Sequence, residues 1–173
     1  MKDKESFLSI HSNKSYSFIV NKSEFIGHAF YVESVDEAEK YISEIREKYK
    51  DATHNCFAYI IGMDKLTQKY SDDGEPSGTA GVPMLEVLRK KDITNCLVIA
   101  TRYFGGILLG AGGLVRAYTK SVVGALDEAK IVRKELFYNV DIILDYIFWG
   151  KIENILKENE LTNVRGLIAD AEN

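Results

Sequence analysis

Apolar residues recur along the chain with a period that switches between two and about 3.6. Alternating apolar and polar residues, rich in aromatic and β-branched types, predict strands at residues 16–20 and 25–32, joined as a hairpin around Asn21, Lys22 and Ser23. A capping-box pattern at Ser34 and Glu37 then precedes apolar residues at helical spacing. This predicts an amphipathic helix that ends near residue 50.

The middle of the chain alternates strands and helices. Residues 54–61 and 95–101 carry apolar side chains on both alternating faces, which is typical of central strands, and residues 67–70 are expected to pair with the first of them. Helical spacing predicts helices at residues 82–90 and from the glycines at 110–113 to residue 129. The order β-β-α-β-loop-α-β-loop-α predicts an α+β fold, a mixed sheet with helices packed on one face.

The pattern changes at residues 131–136, which suggests a domain boundary. Residues 138–144 have the pattern of a strand, residues 148–157 of a helix and residues 164–169 of a second strand. A lone β-α-β unit of this size buries little surface by itself. We therefore predict one domain at residues 1–135 and a small, partial one at residues 136–173.

Composition is that of an ordinary globular protein, with 46% hydrophobic and 28% charged residues. The apolar runs are too short to span a bilayer, and no signal peptide is evident, so we expect a cytoplasmic protein without membrane contact. The net charge is −4, but residues 1–135 hold 19 basic and 19 acidic residues, against 3 and 7 in the remainder. Nucleic-acid binding is neither excluded nor favoured by this balance.

The segment at residues 71–81 is rich in Asp, Gly, Ser and Thr and is expected to form a loop. Its carboxylates, at Asp72, Asp73 and Glu75, suit a hard cation, yet the calcium-loop pattern is absent and the glycines are equally consistent with plain turns. A structural and a functional loop are both open at this stage. We expect no metal and no cofactor.

A second glycine-rich segment runs from Arg102 to Arg116. Arg102 and Tyr103 end a buried strand, so the guanidinium is placed to bind a phosphate or carboxylate, or to pair with the acidic loop. The glycines at 110–113 open a helix, where free backbone N–H groups attract anions. They equally well allow close packing, and Arg116 and Lys120 either line such a site or face solvent.

Evidence for catalysis is weak. His54 and Cys56 share one face of a strand, and two such neighbours seldom aim at each other as a nucleophile pair does. A half-buried histidine beside a packed, reduced cysteine is the simpler interpretation, and Cys96 is expected to be buried and reduced as well. No established catalytic signature is present.

Four longer motifs resemble the IMPACT/YigZ family: NKSEFIGHAF, ATHNCFAY, YSDDGEPSGTAGVPML and VIATRYFGGILLGAGGLVRAYTKS. The resemblance covers residues 15–134. It implies an N-terminal domain like the second domain of a small-subunit ribosomal protein, followed by a ferredoxin-like domain that is shortened here. Eukaryotic members, as the resemblance implies, regulate translation by interfering with the activation of a starvation-responsive kinase through additional domains.

Together the residues and the resemblance predict a non-enzymatic regulatory protein linked to translation, which binds RNA, the ribosome or a protein partner through a glycine-rich face. The alternative is an enzyme or small-ligand binder acting on a phosphate- or carboxylate-bearing molecule. No catalytic residue is assigned. The predicted ligand-binding residues are His54, Asp72, Asp73, Glu75, Arg102, Tyr103, Gly105, Gly106, Gly112, Gly113 and Arg116.

Overall fold

The computed structural model describes residues 6–135 and 142–158. The chain divides into two units, Met1–Leu136 and Phe137–Asn173. The elements of the first unit are, in chain order, β1 (Ser6–Ile10), β2 (Lys14–Val20), β3 (Ser23–Tyr31), α1 (Val35–Lys48), β4 (His54–Ile61), β5 (Thr67–Ser71), α2 (Gly81–Lys90), β6 (Cys96–Tyr103), α3 (Gly110–Ala129) and β7 (Ile131–Glu135).

The main sheet has five strands in the order β2-β3-β6-β4-β5, and every neighbouring pair is antiparallel. The prediction of a mixed sheet is therefore wrong, although the α+β class holds. Strands β3 and β4 do run in the same direction, but β6 lies between them and opposes both. Strand order is decided by pairing over long sequence distances, which the alternation of elements does not reveal.

Helices cover both faces of this sheet, so the expectation of helices on one face is also wrong. Helices α2 and α3 pack on one face and α1 packs on the other, and each face has its own cluster of buried apolar side chains. The two central strands show why both faces need cover. Strands β4 and β6 are buried along almost their whole length, as their doubly apolar pattern predicts.

Helix α3 lies very close to the hairpin β2-β3. A Cβ atom on Gly27 would lie 2.1 Å from the backbone oxygen of Ser121, and one on Gly124 would lie 2.1 Å from the ring of Tyr16. No side chain fits at either position. The two glycines therefore set the distance at which α3 packs against the edge of the sheet.

The predicted N-cap of α1 is present at Ser34, whereas the reciprocal bond from the Glu37 side chain reaches the residue before it, Glu33. The Glu37 backbone N–H donates to the Ser34 hydroxyl oxygen over 3.2 Å, and the Glu37 carboxylate accepts from the backbone N–H of Glu33. Helices α2 and α3 and the pairing of β5 with β4 also agree with the predictions. Element type is thus well predicted through the middle of the first unit.

Strands β1 and β7 form a separate antiparallel pair that the sequence analysis missed. Ser6 lies opposite Glu135, and Leu8 also forms an isolated bridge to Ile93. Each strand has only five residues, too few for a clear alternation, and the partner lies at the far end of the unit. Local pattern cannot identify such a pair.

The second unit contains a short 3-10 helix at Tyr146–Phe148 and α4 (Trp149–Glu158), which confirms the helix predicted at residues 148–157. Residues 142–145 are not part of a strand, contrary to the last part of the prediction for 138–144. The remainder of that strand and the strand predicted at 164–169 lie outside the described residues.

A chain of hydrogen bonds runs through the α1 side of the sheet and ends at a buried histidine. The Asn55 amide donates to the Tyr49 carbonyl, the Thr101 hydroxyl donates to Asn55 Oδ1 over 2.7 Å, and His28 contacts Thr101 through Nε2 and Ser15 through Nδ1. Because the Thr101 proton points to Asn55, the Thr101 oxygen is left to accept from His28 Nε2–H. His28 is therefore held as the neutral tautomer with its proton on Nε2.

Burial, with a smaller effect of the Lys48 ammonium, lowers the pKa of His28 to about 4. In the unfolded chain this histidine is protonated near pH 6.5, whereas in the folded chain it is protonated only near pH 4. We expect His28 to remove about 3 kcal/mol from the free energy of unfolding between those values as pH falls. Urea titrations at several pH values measure the slope of the free energy of unfolding against pH.

The matched comparison is His28→Gln, which should flatten the slope, with His11→Gln as the control because His11 is exposed. An equal slope in the wild type and in His28→Gln would contradict the assignment.

Candidate functional site

The register of the sheet brings three side chains to one level on the face covered by α2 and α3. Arg102, the penultimate residue of β6, lies opposite Phe25 on β3 and His54 on β4. Alternation along a strand sends all three side chains to the same face. The site therefore begins as a short row across three central strands.

Arg102 and Glu75 form a buried ion pair. Arg102 Nη1 donates to Glu75 Oε1 over 2.7 Å, and the two side chains are only 6% and 3% exposed. The hydroxyl of Tyr118, on α3, donates to the same carboxylate oxygen over 2.6 Å, and His54 Nε2 lies 3.8 Å from Glu75 Oε2. These four residues are called the Arg102–Glu75 cluster below. The predicted pairing of Arg102 with the acidic loop is confirmed, with Glu75 as the partner.

Two aromatic rings lie beside the guanidinium of Arg102. The centres of the Phe25 and Phe104 rings are 5.5 and 5.4 Å from its central carbon. Both distances are within the range of cation–π attraction. Arg102 Nε is buried without a hydrogen-bond partner among the described residues. The cation is thus held by one carboxylate and by ring faces.

Asp72 organises the acidic loop from within. Its carboxylate accepts hydrogen bonds from the backbone N–H groups of Gly78, Ala80 and Gly81, at 2.8 to 3.1 Å. The last of these belongs to the first turn of α2, whose N-terminus has no other side-chain cap. Asp72 therefore supplies the negative charge that a helix N-terminus favours.

Asp73 ties the loop to β4 and α1. Its carboxylate accepts from the backbone N–H of Asn55 over 2.7 Å and from Arg46 Nη2 over 3.0 Å. Its backbone oxygen accepts from His54 Nδ1 over 2.8 Å. In the part of the chain that the structure describes, no group of three or more Asp, Glu, His or Cys side chains is arranged to hold a metal ion.

His54 and Cys56 both face the acidic loop. Cys56 Sγ donates to the backbone oxygen of Asp72 over 3.0 Å. Burial is the main cause that raises the pKa of the Cys56 thiol to about 12, and burial likewise raises the pKa of Tyr118. The thiol stays protonated at neutral pH, which removes the nucleophile that a Cys-His pair needs. Cys56 and Cys96 are both buried and free, as predicted.

The glycine-rich segment after β6 divides into parts with different surroundings. The Tyr103 side chain points to the opposite face of the sheet from Arg102, and its hydroxyl donates to Asp51 over 2.9 Å. Gly105 lies against the β2-β3 turn, where a Cβ would be 2.0 Å from the Lys22 backbone, and its N–H donates to the Ser23 hydroxyl. Gly106 has a φ of +84° and lies at the exposed surface.

The start of α3 borders a separate cleft of about 190 Å³ between this helix and the edge strand β2. Gly113, Arg116 and Lys120 line its helix side, and Phe18 lines its strand side. Among the described residues, no hydrogen bond or ion pair joins the first turn of α3 to the Arg102–Glu75 cluster. The helix reaches that cluster through Tyr118, about two turns further along.

The predicted residues thus fall into four places. His54, Asp72, Asp73, Glu75 and Arg102 lie together around the buried ion pair. Gly105 packs against the hairpin turn, and Gly106 follows it at the exposed surface. Tyr103 lies on the other face of the sheet, and Gly112, Gly113 and Arg116 lie at the start of α3. Whether any of them binds a ligand stays a prediction.

Sequence reasoning missed Tyr118, Phe25 and the cleft residue Phe18 as parts of a site. Tyr118 belongs to the apolar stripe of α3, and one signal was available there. A buried tyrosine hydroxyl needs a polar partner, so a tyrosine on a core-facing stripe indicates a polar group in the core opposite. That group is Glu75.

The family model described as the Impact N-terminal domain matches residues 21–126, which include the whole Arg102–Glu75 cluster. The chain belongs to the IMPACT family. The IMPACT family member YvyE of Bacillus subtilis is 46% identical over 155 residues, which are 90% of this chain and 71% of YvyE. The IMPACT family member YigZ of Escherichia coli is 40% identical over 79% of this chain and 68% of YigZ.

The fold also has a solved counterpart. The crystal structure of a hypothetical protein superposes with a TM-score of 0.72 at 27% identity, and the match covers 96% of this chain and 98% of that one. Among the described residues of this IMPACT protein, no helix is both long and apolar enough to cross a membrane.

Removal of one partner of the Arg102–Glu75 pair should destabilise the folded state. Arg102→Met leaves the Glu75 carboxylate buried without its cation, and we expect the free energy of unfolding to fall by about 3–5 kcal/mol. In the double variant Arg102→Met with Glu75→Gln no uncompensated charge remains, so a large part of the loss should be recovered. Urea denaturation measures all three proteins.

Arg89→Met is the matched control, since Arg89 pairs with Glu86 on the surface with side chains 50% and 42% exposed. Its effect should stay below about 1 kcal/mol. The pair would have no structural importance if Arg102→Met were as stable as Arg89→Met.

Proposed function

We propose that the chain is a non-enzymatic regulatory protein linked to translation, which recognises RNA, the ribosome or a protein partner through its glycine-rich face. The observation that carries this proposal is the surface of the loop between β6 and α3. Leu108 is 84% exposed there, beside the partly exposed Phe104 and Ile107. Neighbouring large apolar side chains on a surface are typical of binding sites.

The charged residues nearby support binding rather than catalysis. Glu75 and Arg102 neutralise each other in a buried pair, and Asp72 and Asp73 hold backbone N–H groups of the loop and of β4. An acid, base or nucleophile has to reach its substrate. The Arg102–Glu75 cluster therefore acts in this proposal as the rigid support of the exposed loop.

The link to translation rests on family membership and on what the resemblance implies for eukaryotic relatives. The same proposal includes a cytoplasmic location and a division into domains at residues 1–135 and 136–173. It also includes a fold like the second domain of a ribosomal protein and a partial ferredoxin-like second domain. The chain spans 56% of the length of a third relative, the IMPACT family member of Haemophilus influenzae. We therefore assign the activity of whole relatives to this chain only as a proposal.

The alternative is an enzyme or small-ligand binder for a phosphate- or carboxylate-bearing molecule. One observation favours it: Arg102 Nε is buried and unpaired within the described residues, so the guanidinium retains a donor. Against it, Arg102 is almost wholly buried and already holds a carboxylate. Binding of a small anion to the purified protein, lost in Arg102→Met at a temperature where that variant is folded, would support the alternative.

The exposed loop can be tested against the ribosome. Leu108→Ser should reduce co-sedimentation of the protein with purified ribosomes at least several-fold, because it removes the most exposed apolar side chain of the loop. Its effect on stability should be within about 0.5 kcal/mol. Sucrose-gradient sedimentation of both proteins, with thermal melts, provides the measurement.

Leu66→Ser is the control, because Leu66 is 81% exposed in the turn between β4 and β5, away from the glycine-rich face. The proposal expects wild-type sedimentation for this variant. If both variants lost ribosome binding equally, the loss could not be assigned to the loop between β6 and α3. If the wild type does not sediment with ribosomes, the ribosome is removed from the proposed partners.

A further inference from the structure

The cleft between β2 and α3 carries two cations that have no acidic partner among the residues that the structure describes. Arg116 and Lys120 both line it, and none of the lining residues is acidic. Neither side chain forms an ion pair with any described residue of the chain. Elsewhere on the surface, some cations do hold a carboxylate, for example Lys69 and Arg89 at 2.7 Å.

The position of these cations is unfavourable for the helix itself. Arg116 and Lys120 are four residues apart, so their like charges lie on one face of α3 and repel each other. A local arrangement that lowers stability without a compensating contact is expected at functional sites.

The floor of the cleft is apolar and contains an aromatic ring. Phe18 and Val20 come from β2 and Leu109 from the residue before α3, and all three are half-buried. One face of the Phe18 ring stacks on Phe25, with the ring centres 5.4 Å apart. The Lys120 ammonium lies 4.4 Å from the centre of the same Phe18 ring.

We propose that this cleft binds single-stranded RNA, with Arg116 and Lys120 on consecutive phosphates and one base stacked on Phe18. The inference rests on the proposed function, whose link to translation selects RNA among nucleic acids. A ring beside paired cations is the combination that proteins use for single strands. A peptide phosphorylated on serine or threonine would satisfy the cations but would leave the ring without a flat partner.

Lys120 has a double role in this proposal. In the free protein its ammonium covers the Phe18 ring, a contact that an exposed, flexible lysine can exchange at low cost. On binding, the ammonium moves to a phosphate and the ring face becomes available to a base. Asn21 borders the same cleft, where its exposed amide can donate to and accept from the edge of that base.

The charge balance of the first unit predicts how RNA binding should depend on salt concentration. Residues 1–135 hold 19 basic and 19 acidic residues, so the first unit has no general attraction for a polyanion. Two local phosphate contacts on a single strand predict a slope of about −1.4 for the logarithm of the binding constant against the logarithm of salt concentration. Binding driven by a broad basic surface would give a much steeper slope.

The experiment is fluorescence anisotropy of a labelled short oligouridylate with the full chain over a salt series. Lys120→Met and Arg116→Met should each weaken binding and should each reduce the magnitude of the slope by about 0.7. Lys40→Met is the matched control, because Lys40 lies on α1, which packs on the opposite face of the sheet, and should change neither quantity.

Phe18 is tested separately from the charges. Phe18→Leu should weaken binding about tenfold at an unchanged slope, because it removes the stacking surface and no charge. Phe18→Tyr keeps a ring and should restore binding. Thermal melts of both variants show that the fold is intact.

The proposal is overturned if the wild type does not bind oligouridylate, or if Lys120→Met binds with the wild-type slope. It is also overturned if duplex RNA, free uridine monophosphate or a phosphorylated peptide binds as tightly as the single strand. The RNA site and the proposed function can fail independently. Ribosome binding that depends on Leu108 but not on Phe18 and Lys120 would support the proposed function and contradict the RNA site.

Discussion

The buried contact between Arg102 and Glu75 is the constraint around which the first unit is arranged. A carboxylate and a guanidinium are both removed from water, and each is tolerable only because the other is present. Their meeting requires that β6, the acidic loop and α3 all lie within hydrogen-bond reach of one point.

The rest of the acidic loop follows from that requirement. Glu75 reaches Arg102 only if the loop folds back over β4, and Asp72 and Asp73 hold it there through backbone N–H groups on either side. Most of the polar atoms that make this segment conspicuous in the sequence therefore satisfy each other. What reaches solvent is the next loop, with its apolar side chains, and the cations of α3 beyond it.

Sequence reasoning predicted the elements of the first unit much better than their arrangement. The doubly apolar patterns of β4 and β6 identified them as central strands, and Ser34 with Glu37 identified the start of α1. Strand order, the face on which α1 packs and the pair β1-β7 depend on contacts between distant residues, and no local pattern contains them. The same limit applies to the site, where the Arg102 pairing was predicted but the Phe18 cleft was not.

The pairing of β1 with β7 has a consequence for how the chain is connected. Ser6 and Glu135 are opposite each other in an antiparallel pair, where backbones are only about 5 Å apart. A linker of a few residues would join them, and the exposed turn around Met63 offers a place for new chain ends. A circularly permuted chain of this unit would keep all of its strand pairings and would lose the turn hydrogen bond from the Lys65 N–H to the Gly62 oxygen.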